Sequence, residues 1–424
     1  MINFEVKSIL FLGVGGISMY QLALAFKSMG IDVVGYDIKQ SKYTKICEDN
    51  GIRVSHKFAK ETCNVDLCIK TGAINDDDKF IKYLKATNVP IVDRADALGY
   101  LCQKFKTVIA VSGTHGKSTT ASLIYHILRK DGRKVSCHIG ADVDNSRFIL
   151  GDDYLVVEAC EYKKSFLSIV PDISVITNIE AEHMDSYGSL FHLRSCFIKF
   201  MRRSKLRFVM EDESTAFLHK YKNVNFVKVD SNLKTALHGE YNKKNVSLAV
   251  AVCSRLGVKQ ESIQCVLSDF LGVARRYEKL GKSDRTKIYI DYAHHPSELN
   301  SFISTFKADY PNSLIVFQPH TYSRTKYFLN EFVGILSNEG DVVIFKEYPA
   351  RESRVQGLSA RELYQHIKRV NKKVIYANST KKIERKIRDF DAVAFVGAGD
   401  IDLIARKIIE TNQKNTWQIR KFNV

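Results

Sequence analysis

The stretch that most constrains the fold runs from Val108 to Thr120 and reads V-I-A-V-S-G-T-H-G-K-S-T-T. Val108 to Val111 is a short apolar run rich in β-branched side chains, the pattern of a buried strand. Thr119 to Arg129 places Leu123, Ile127 and Leu128 on one side, the pattern of a helix. Between them lies G-T-H-G-K-S. Strand, glycine loop and helix are the setting a phosphate-binding loop needs. Gly113 and Gly116 free the backbone to turn N–H groups onto an anion, and the helix N-terminus adds partial positive charge. In such a loop Lys117 reaches the outer phosphates and the Ser118 hydroxyl ligates Mg²⁺. The common spacing G-x-x-x-x-G-K-[ST] would put glycine at 111, where this chain has Val111, so the loop is a shortened form.

A chain of 424 residues is long enough for two or three domains. Its net charge of +17, from 64 basic and 47 acidic residues, raises nucleic acid or an anionic membrane as partners. The basic residues are spread along the chain, however, and the densest groups, Lys199 to Arg207 and Lys381 to Arg388, carry no aromatic array for stacking bases. A lysine-rich enzyme of anionic substrates is the better reading, with no nucleic-acid partner. Nine cysteines without a C-x-x-C pair or zinc spacing read as reduced thiols of a cytoplasmic protein. No apolar run approaches the length of a membrane span, so no stable membrane insertion is expected.

The first βαβ unit combines a strand at Ser8 to Leu12, the turn Gly13-Val14-Gly15-Gly16-Ile17-Ser18, a helix at Met19 to Met29 and a strand at Ile31 to Val34. Ser18 stands in place of the third fingerprint glycine. Asp37 follows the second strand, about where an acidic residue meets a ribose hydroxyl. Strands at Leu67 to Ile69 and Ile91 to Val92 bring Thr71 and, with them, His56 and Arg94 toward the same carboxyl edge, where ligands of open α/β sheets gather. A polar join at 103–106 sets the first boundary.

Beyond the phosphate loop, the strand Tyr154 to Val157 ends in Glu158-Ala159-Cys160-Glu161-Tyr162. A carboxylate one strand from a phosphate loop commonly completes a magnesium site. The strand Ile173 to Thr177 leads to Asn178-Ile179-Glu180-Ala181-Glu182-His183, where His183 is a candidate ligand for a second metal. Asn242 and Asn245, three residues apart before a helix expected from Val246 to Leu256, share one face and suit an adenine edge. A further α/β region begins near Ala274. Its strands Lys287 to Ile290, Leu314 to Phe317, Val342 to Phe345 and Val393 to Val396 each deliver polar or glycine residues at their carboxyl ends, among them Tyr292, His294 and Arg324. That repetition marks a ligand cleft.

The motifs G-V-G-G-I-S-M, G-T-H-G-K-S-T-T, E-A-C-E-Y, T-N-I-E-A-E-H-M-D, R-R-Y-E, D-Y-A-H-H-P, F-Q-P-H-T-Y-S-R-T and G-A-G-D-I, in this order, resemble the Mur ligase family and most closely its alanine-adding branch. The resemblance implies an α/β chain of three domains. They are a Rossmann-like UDP-sugar-binding domain (1–103), a central P-loop ATPase-like domain (104–273) and a Rossmann-like domain for the amino acid (274–424). It implies that ATP is held by Gly113, Thr114, His115, Gly116, Lys117, Ser118 and Thr119, with Asn242 and Asn245 at adenine. Two Mg²⁺ ions would sit on Ser118, Glu158 and His183. Gly15, Gly16, Asp37, His56, Thr71 and Arg94 would hold UDP-N-acetylmuramate. Tyr292, His294 and Arg324 would hold L-alanine, with Lys117, His294 and Arg324 as the catalytic set and His294 as base. Three points depart from the family's usual forms: E-A-C-E-Y stands for E-A-D-E-S, Tyr241 for a histidine, and K-T-G-A-I for S-S-A-I. The implied reaction is ATP-dependent ligation of L-alanine to the lactyl carboxylate through an acyl phosphate. Its alternatives are a ligase that recycles murein tripeptide onto the same sugar nucleotide and, more distantly, a basic nucleic-acid-binding ATPase.

Overall fold

The computed structural model describes residues 4–143, 148–350, 352 and 358–422, with the backbone alone at 185 and 412–422. Seventeen strands among these residues form three sheets. The first contains β1 (Ser8–Leu12), β2 (Asp32–Tyr36), β3 (Arg53–Ser55), β4 (Leu67–Lys70) and β5 (Ile91–Asp93), all parallel, in the order β3-β2-β1-β4-β5. The second contains β6 (Thr107–Ser112), β7 (Val135–His138), β8 (Tyr154–Glu158), β9 (Ile173–Ile176), β10 (Leu206–Met210) and β11 (Asn225–Val227), again parallel, in the order β11-β10-β9-β6-β8-β7. The third contains β12 (Glu278–Ser283), β13 (Thr286–Asp291), β14 (Ser313–Phe317), β15 (Val342–Phe345), β16 (Ile375–Ala377) and β17 (Ala392–Val396), in the order β12-β13-β17-β14-β15-β16. Only its edge strand β12 runs antiparallel.

Parallel strands are covered on both faces by their crossover helices, so their sequences are continuous apolar runs. β14, β15 and β17 are buried along their whole length. One face of the third sheet packs Phe302, Phe306, Phe317 and Phe332, and the other packs Ile383, Phe345, Phe395 and Ile401. A single apolar cluster joins the first two sheets, from Phe11 and Phe26 through Leu101 and Phe105 to Phe166 and Phe197. The chain forms two compact units, residues 1–236 with 242–271 and residues 237–241 with 272–424. The first therefore holds two sheets, the second one.

Each expected central strand is present, with ends shifted by a residue or two. One element is longer than the sequence pattern indicates. The helix expected from Val246 spans Glu240–Arg255, and Asn242 and Asn245 lie within it on the same buried side as Val246 and Ala249. Two amides on an otherwise apolar face conceal its periodicity.

Candidate active site

In the second sheet β6 lies between β8 and β9, so the loop that follows it faces the carboxyl ends of both neighbours. Gly113 has φ 139° and Gly116 has φ 82°, a conformation that glycine adopts without strain. A β-carbon on Gly113 would sit 2.0 Å from Thr177 Oγ1, and one on Gly116 would sit 2.2 Å from Asn245 Oδ1. The loop is clamped to the segment after β9. The His115 N–H donates to Asn178 Oδ1 at 2.9 Å, Thr177 Oγ1 donates to the His115 carbonyl at 2.5 Å, and Glu180 N–H donates to Thr114 Oγ1 at 2.8 Å. The helix Lys117–Lys130 starts directly from this loop, and Thr119 is buried in its first turn.

Lys117 Nζ donates to the carbonyls of Gly113 at 2.5 Å and Thr114 at 2.9 Å, and lies 3.1 Å from Glu161 Oε2. Burial alone would push this ammonium down, but Glu161, Cys160, Glu158 and Glu182 together hold it above its ordinary value. Ser118 Oγ donates to Glu158 Oε2 at 2.9 Å, and the Gly140 N–H donates to the same oxygen at 2.9 Å. Ser118 and Glu158, expected as ligands of a metal, therefore lie within hydrogen-bond distance of each other. His183 stands in a second group: one ligand atom each from Glu161, Glu182 and His183 lies within 4.8 Å of the others. Glu161 is 2% exposed, and its Oε2 has the Lys117 ammonium as ion-pair partner at 3.1 Å but accepts no hydrogen bond among the described residues. A buried carboxylate oxygen left in that condition, beside a second carboxylate and an imidazole, fits a hard divalent cation.

Sequence reasoning passed over Glu161 and Glu182, although both stand inside the quoted motifs. The second glutamate of E-A-C-E-Y was the available signal. Cys160, between the two glutamates, is an inert thiol pushed up to about 11 chiefly by burial. Asn242 and Asn245 are both 5% exposed. Asn245 accepts from Thr120 Oγ1 at 3.3 Å and donates to Asn242 Oδ1 at 3.2 Å. This pair packs the helix Glu240–Arg255 against the phosphate loop.

At the first sheet's carboxyl edge, Gly15 N–H donates to Asp37 Oδ2 at 2.9 Å, and His56 Nδ1 donates to the Asp37 carbonyl at 2.8 Å. A β-carbon on Gly15 would stand 2.8 Å from that carboxylate, and one on Gly13 would stand 2.5 Å from Thr71 Cγ2. The turn, Gly16 included, Asp37, His56 and Thr71 therefore form one cluster. Arg94 reaches it by donating to Ser18 Oγ at 2.9 Å.

The third sheet gathers the remaining residues. Asp291, buried at the end of β13, accepts the Tyr277 and Ala293 N–H groups at 2.7 Å each. Burial pushes its carboxyl up to about 6 against the opposing pull of Arg276. The Tyr292 ring is flanked by the Arg275 and Arg276 guanidinium groups at 4.9 and 5.2 Å. His294 Nδ1 donates to the Tyr292 carbonyl at 2.9 Å and lies 3.3 Å from Glu298 Oε2. Arg324 donates to His320 Nδ1 at 3.0 Å, and the His320 and His294 ring centroids are 5.7 Å apart. Thr321, at φ 64°, begins the short helix that carries Arg324. Arg275 donates to the carbonyls of Gly397 and Gly399 at 3.0 and 2.7 Å, bringing the loop after β17 to the same edge.

Three family models match in chain order. They are the Mur ligase family catalytic domain over residues 8–106, the Mur ligase middle domain over 111–229 and the Mur ligase glutamate ligase domain over 275–399. A UDP-N-acetylmuramate–L-alanine ligase from Caldicellulosiruptor bescii is 34% identical, the match covering 94% of this chain and 98% of that protein. The crystal structure of a UDP-N-acetylmuramate-alanine ligase from Thermotoga maritima superposes with a TM-score of 0.81 at 26% identity, covering 97% of this chain and 100% of that one. A murein peptide ligase from Psychrobacter arcticus shares the fold, with a TM-score of 0.68 at 17% identity over 96% of this chain and 98% of its own.

Proposed function

Because this chain belongs to the Mur ligase family, we propose that it is a cytoplasmic ATP-dependent ligase joining L-alanine to UDP-N-acetylmuramate for peptidoglycan synthesis. The observation that carries the reading is the pairing of Lys117 with Glu161 and of Ser118 with Glu158 on the phosphate loop. The relatives' names select alanine over the tripeptide.

In this reading a lactyl carboxylate oxygen attacks the γ-phosphorus of ATP, ADP leaves, and an acyl phosphate forms. The neutral amine of L-alanine then attacks the acyl carbon. A tetrahedral intermediate expels inorganic phosphate, and the amine loses a proton. Lys117, charged and fixed by two carbonyls, stabilises the transferring phosphoryl group. Ser118 with Glu158, and Glu161 with Glu182 and His183, would hold two Mg²⁺ ions, which supply charge neutralisation on the phosphate oxygens. His294, an imidazole at the same sheet edge as Arg324, would take the amine proton. Arg324 offers a guanidinium fork to the amino acid's carboxylate. Gly15, Gly16, Asp37, His56, Thr71 and Arg94 take the sugar nucleotide, and Asn245 with Asn242 backs the ATP loop.

The test is phosphate release from ATP and Mg²⁺ with UDP-N-acetylmuramate, adding L-alanine or the L-Ala-γ-D-Glu-diaminopimelate tripeptide. Release that needs both the sugar nucleotide and L-alanine, and that is lost in Lys117→Ala, is expected. Release only with the tripeptide would move the chain to murein recycling, and normal turnover in Lys117→Ala would overturn the assignment.

A further inference from the structure

His138 ends β7 on the second sheet, yet its side chain serves the first. It is 2% exposed, and its Nε2 lies 2.9 Å from Ser18 Oγ and 3.4 Å from the Ser18 carbonyl oxygen. A carbonyl can only accept, so the tautomer that satisfies both contacts carries its hydrogen on Nε2. Arg94 donates to the same Ser18 Oγ at 2.9 Å. With that tautomer two donors converge on one hydroxyl oxygen, and the hydroxyl's own hydrogen is left for an acceptor. Ser18 occupies the place of the third fingerprint glycine, in the first turn of the helix Ile17–Ser28, where none of the helix's own residues is acidic and the neighbouring Asp37 carboxylate already accepts the Gly15 N–H. The acceptor that suits a hydroxyl at a cationic helix start is an anionic oxygen.

The same strand end reaches the other way. Two residues beyond His138, the Gly140 N–H donates to Glu158 Oε2, the carboxylate that pairs with Ser118. Asp142 then accepts from Lys42 at 2.5 Å and from Tyr43 at 2.8 Å. Residues 138–142 therefore span from the glycine turn of the first sheet to the phosphate loop of the second. Histidine is neutral in this role, since burial, with Arg94 nearby, lowers its titration to about 3.

We propose that His138 is a positioning residue for the sugar nucleotide: by donating to Ser18 beside Arg94, it turns the serine hydroxyl hydrogen onto a phosphate oxygen at the glycine turn. The inference rests on the ligase reading. The test is calorimetric binding of UDP-N-acetylmuramate and, separately, of ATP with Mg²⁺, alongside the KM of each. His138→Leu removes the donor, His138→Gln keeps an N–H at similar reach, and Ser18→Ala removes the hydroxyl. His138→Leu and Ser18→Ala should each weaken the sugar nucleotide about tenfold and leave ATP within about twofold. His138→Gln should recover most of the loss. In the Ser18→Ala background, His138→Leu should add less than about twofold, because the two act through one hydroxyl. Multiplying losses, equal weakening of both ligands, or unchanged sugar-nucleotide affinity in a folded His138→Leu protein would overturn the proposal. If His138→Leu does not fold, unchanged affinity in Ser18→Ala overturns it. A wild-type protein that binds no sugar nucleotide would remove the ligase reading and this inference together, whereas unaffected variants beside a binding wild type remove the inference alone.

Discussion

Glu161→Gln separates the charge of the buried carboxylate from its shape. Two opposing terms set the size of the effect. The ion pair with Lys117 at 3.1 Å is worth about 5 kcal/mol at an effective dielectric of about 20. Glu182 stands on the other side, its ligand oxygen within 4.8 Å of that of Glu161, a repulsion of about 3 kcal/mol on the same footing. The amide therefore costs the metal-free protein at most about 2 kcal/mol, a fall in melting temperature of no more than roughly 4–8 °C for a unit this size. Catalysis loses more, since the amide neither fixes Lys117 by charge nor offers an anionic oxygen to Mg²⁺. We expect kcat to fall at least about a hundredfold, corresponding to about 2.7 kcal/mol, and the Mg²⁺ concentration for half activation to rise. Steady-state phosphate release across a Mg²⁺ titration, paired with thermal unfolding in EDTA, measures both. Wild-type kcat together with a wild-type Mg²⁺ midpoint would refute the assignment of Glu161 to this group.

Gly113→Ala, whose β-carbon would meet Thr177 Oγ1 at 2.0 Å from a backbone at φ 139°, should distort the loop and reduce kcat/KM for ATP at least about tenfold, and unchanged ATP kinetics would contradict that loop geometry. Arg324→Lys keeps the charge but loses the planar fork, so KM for L-alanine should rise roughly 10–100-fold while KM for ATP holds; equal changes in both would count against an amino-acid role. Asp291, with its folded carboxyl pushed up from 3.8 to about 6, binds a proton that the unfolded chain has already released, so its ionisation costs stability on the order of 3 kcal/mol, absent below pH 4 and complete above pH 6. The melting temperature of the wild type relative to Asp291→Asn should therefore decline as pH rises through that window, and a flat difference would contradict it.

Most central strands were legible because a strand buried on both faces must be apolar throughout, as L-I-V-F at Leu314 to Phe317 is, whereas central β10, L-R-F-V-M with Arg207 inside it, was not read. The edges were not. β3 (R-V-S), β11 (N-F-V) and β16 (I-Y-A) are three residues long and only partly covered, too short for a period to register. β7 reads V-S-C-H, and its buried Ser136 is satisfied by Asp152 Oδ2 at 2.8 Å and the Ile149 carbonyl at 3.0 Å, partners no local pattern announces. Within the site, the glycine loop was legible because its backbone demands glycine. Glu161 was not, because its direction depends on the turn that follows, where Lys163 and Lys164 adopt φ 51° and 61°.

What converts these separate readings into a site is register. β6 pairs with β8 so that Val111 faces Glu158, and with β9 so that Ser112 faces Ile176. The phosphate loop, the Glu158 carboxylate and the Thr177–His183 segment therefore leave the sheet at one level. Strand side chains alternate faces, so a one-residue slip of β8 would carry Glu158 to the opposite face and away from Ser118. The apolar runs Val108 to Val111 and Leu155 to Val157 forbid that slip, because both faces of the sheet are already packed. Residues buried far from any phosphate thus set the spacing of those that would touch one. Exchanging valine and alanine along β6 should for that reason disturb stability and nucleotide binding together, whereas changes at the exposed loop ends should separate them.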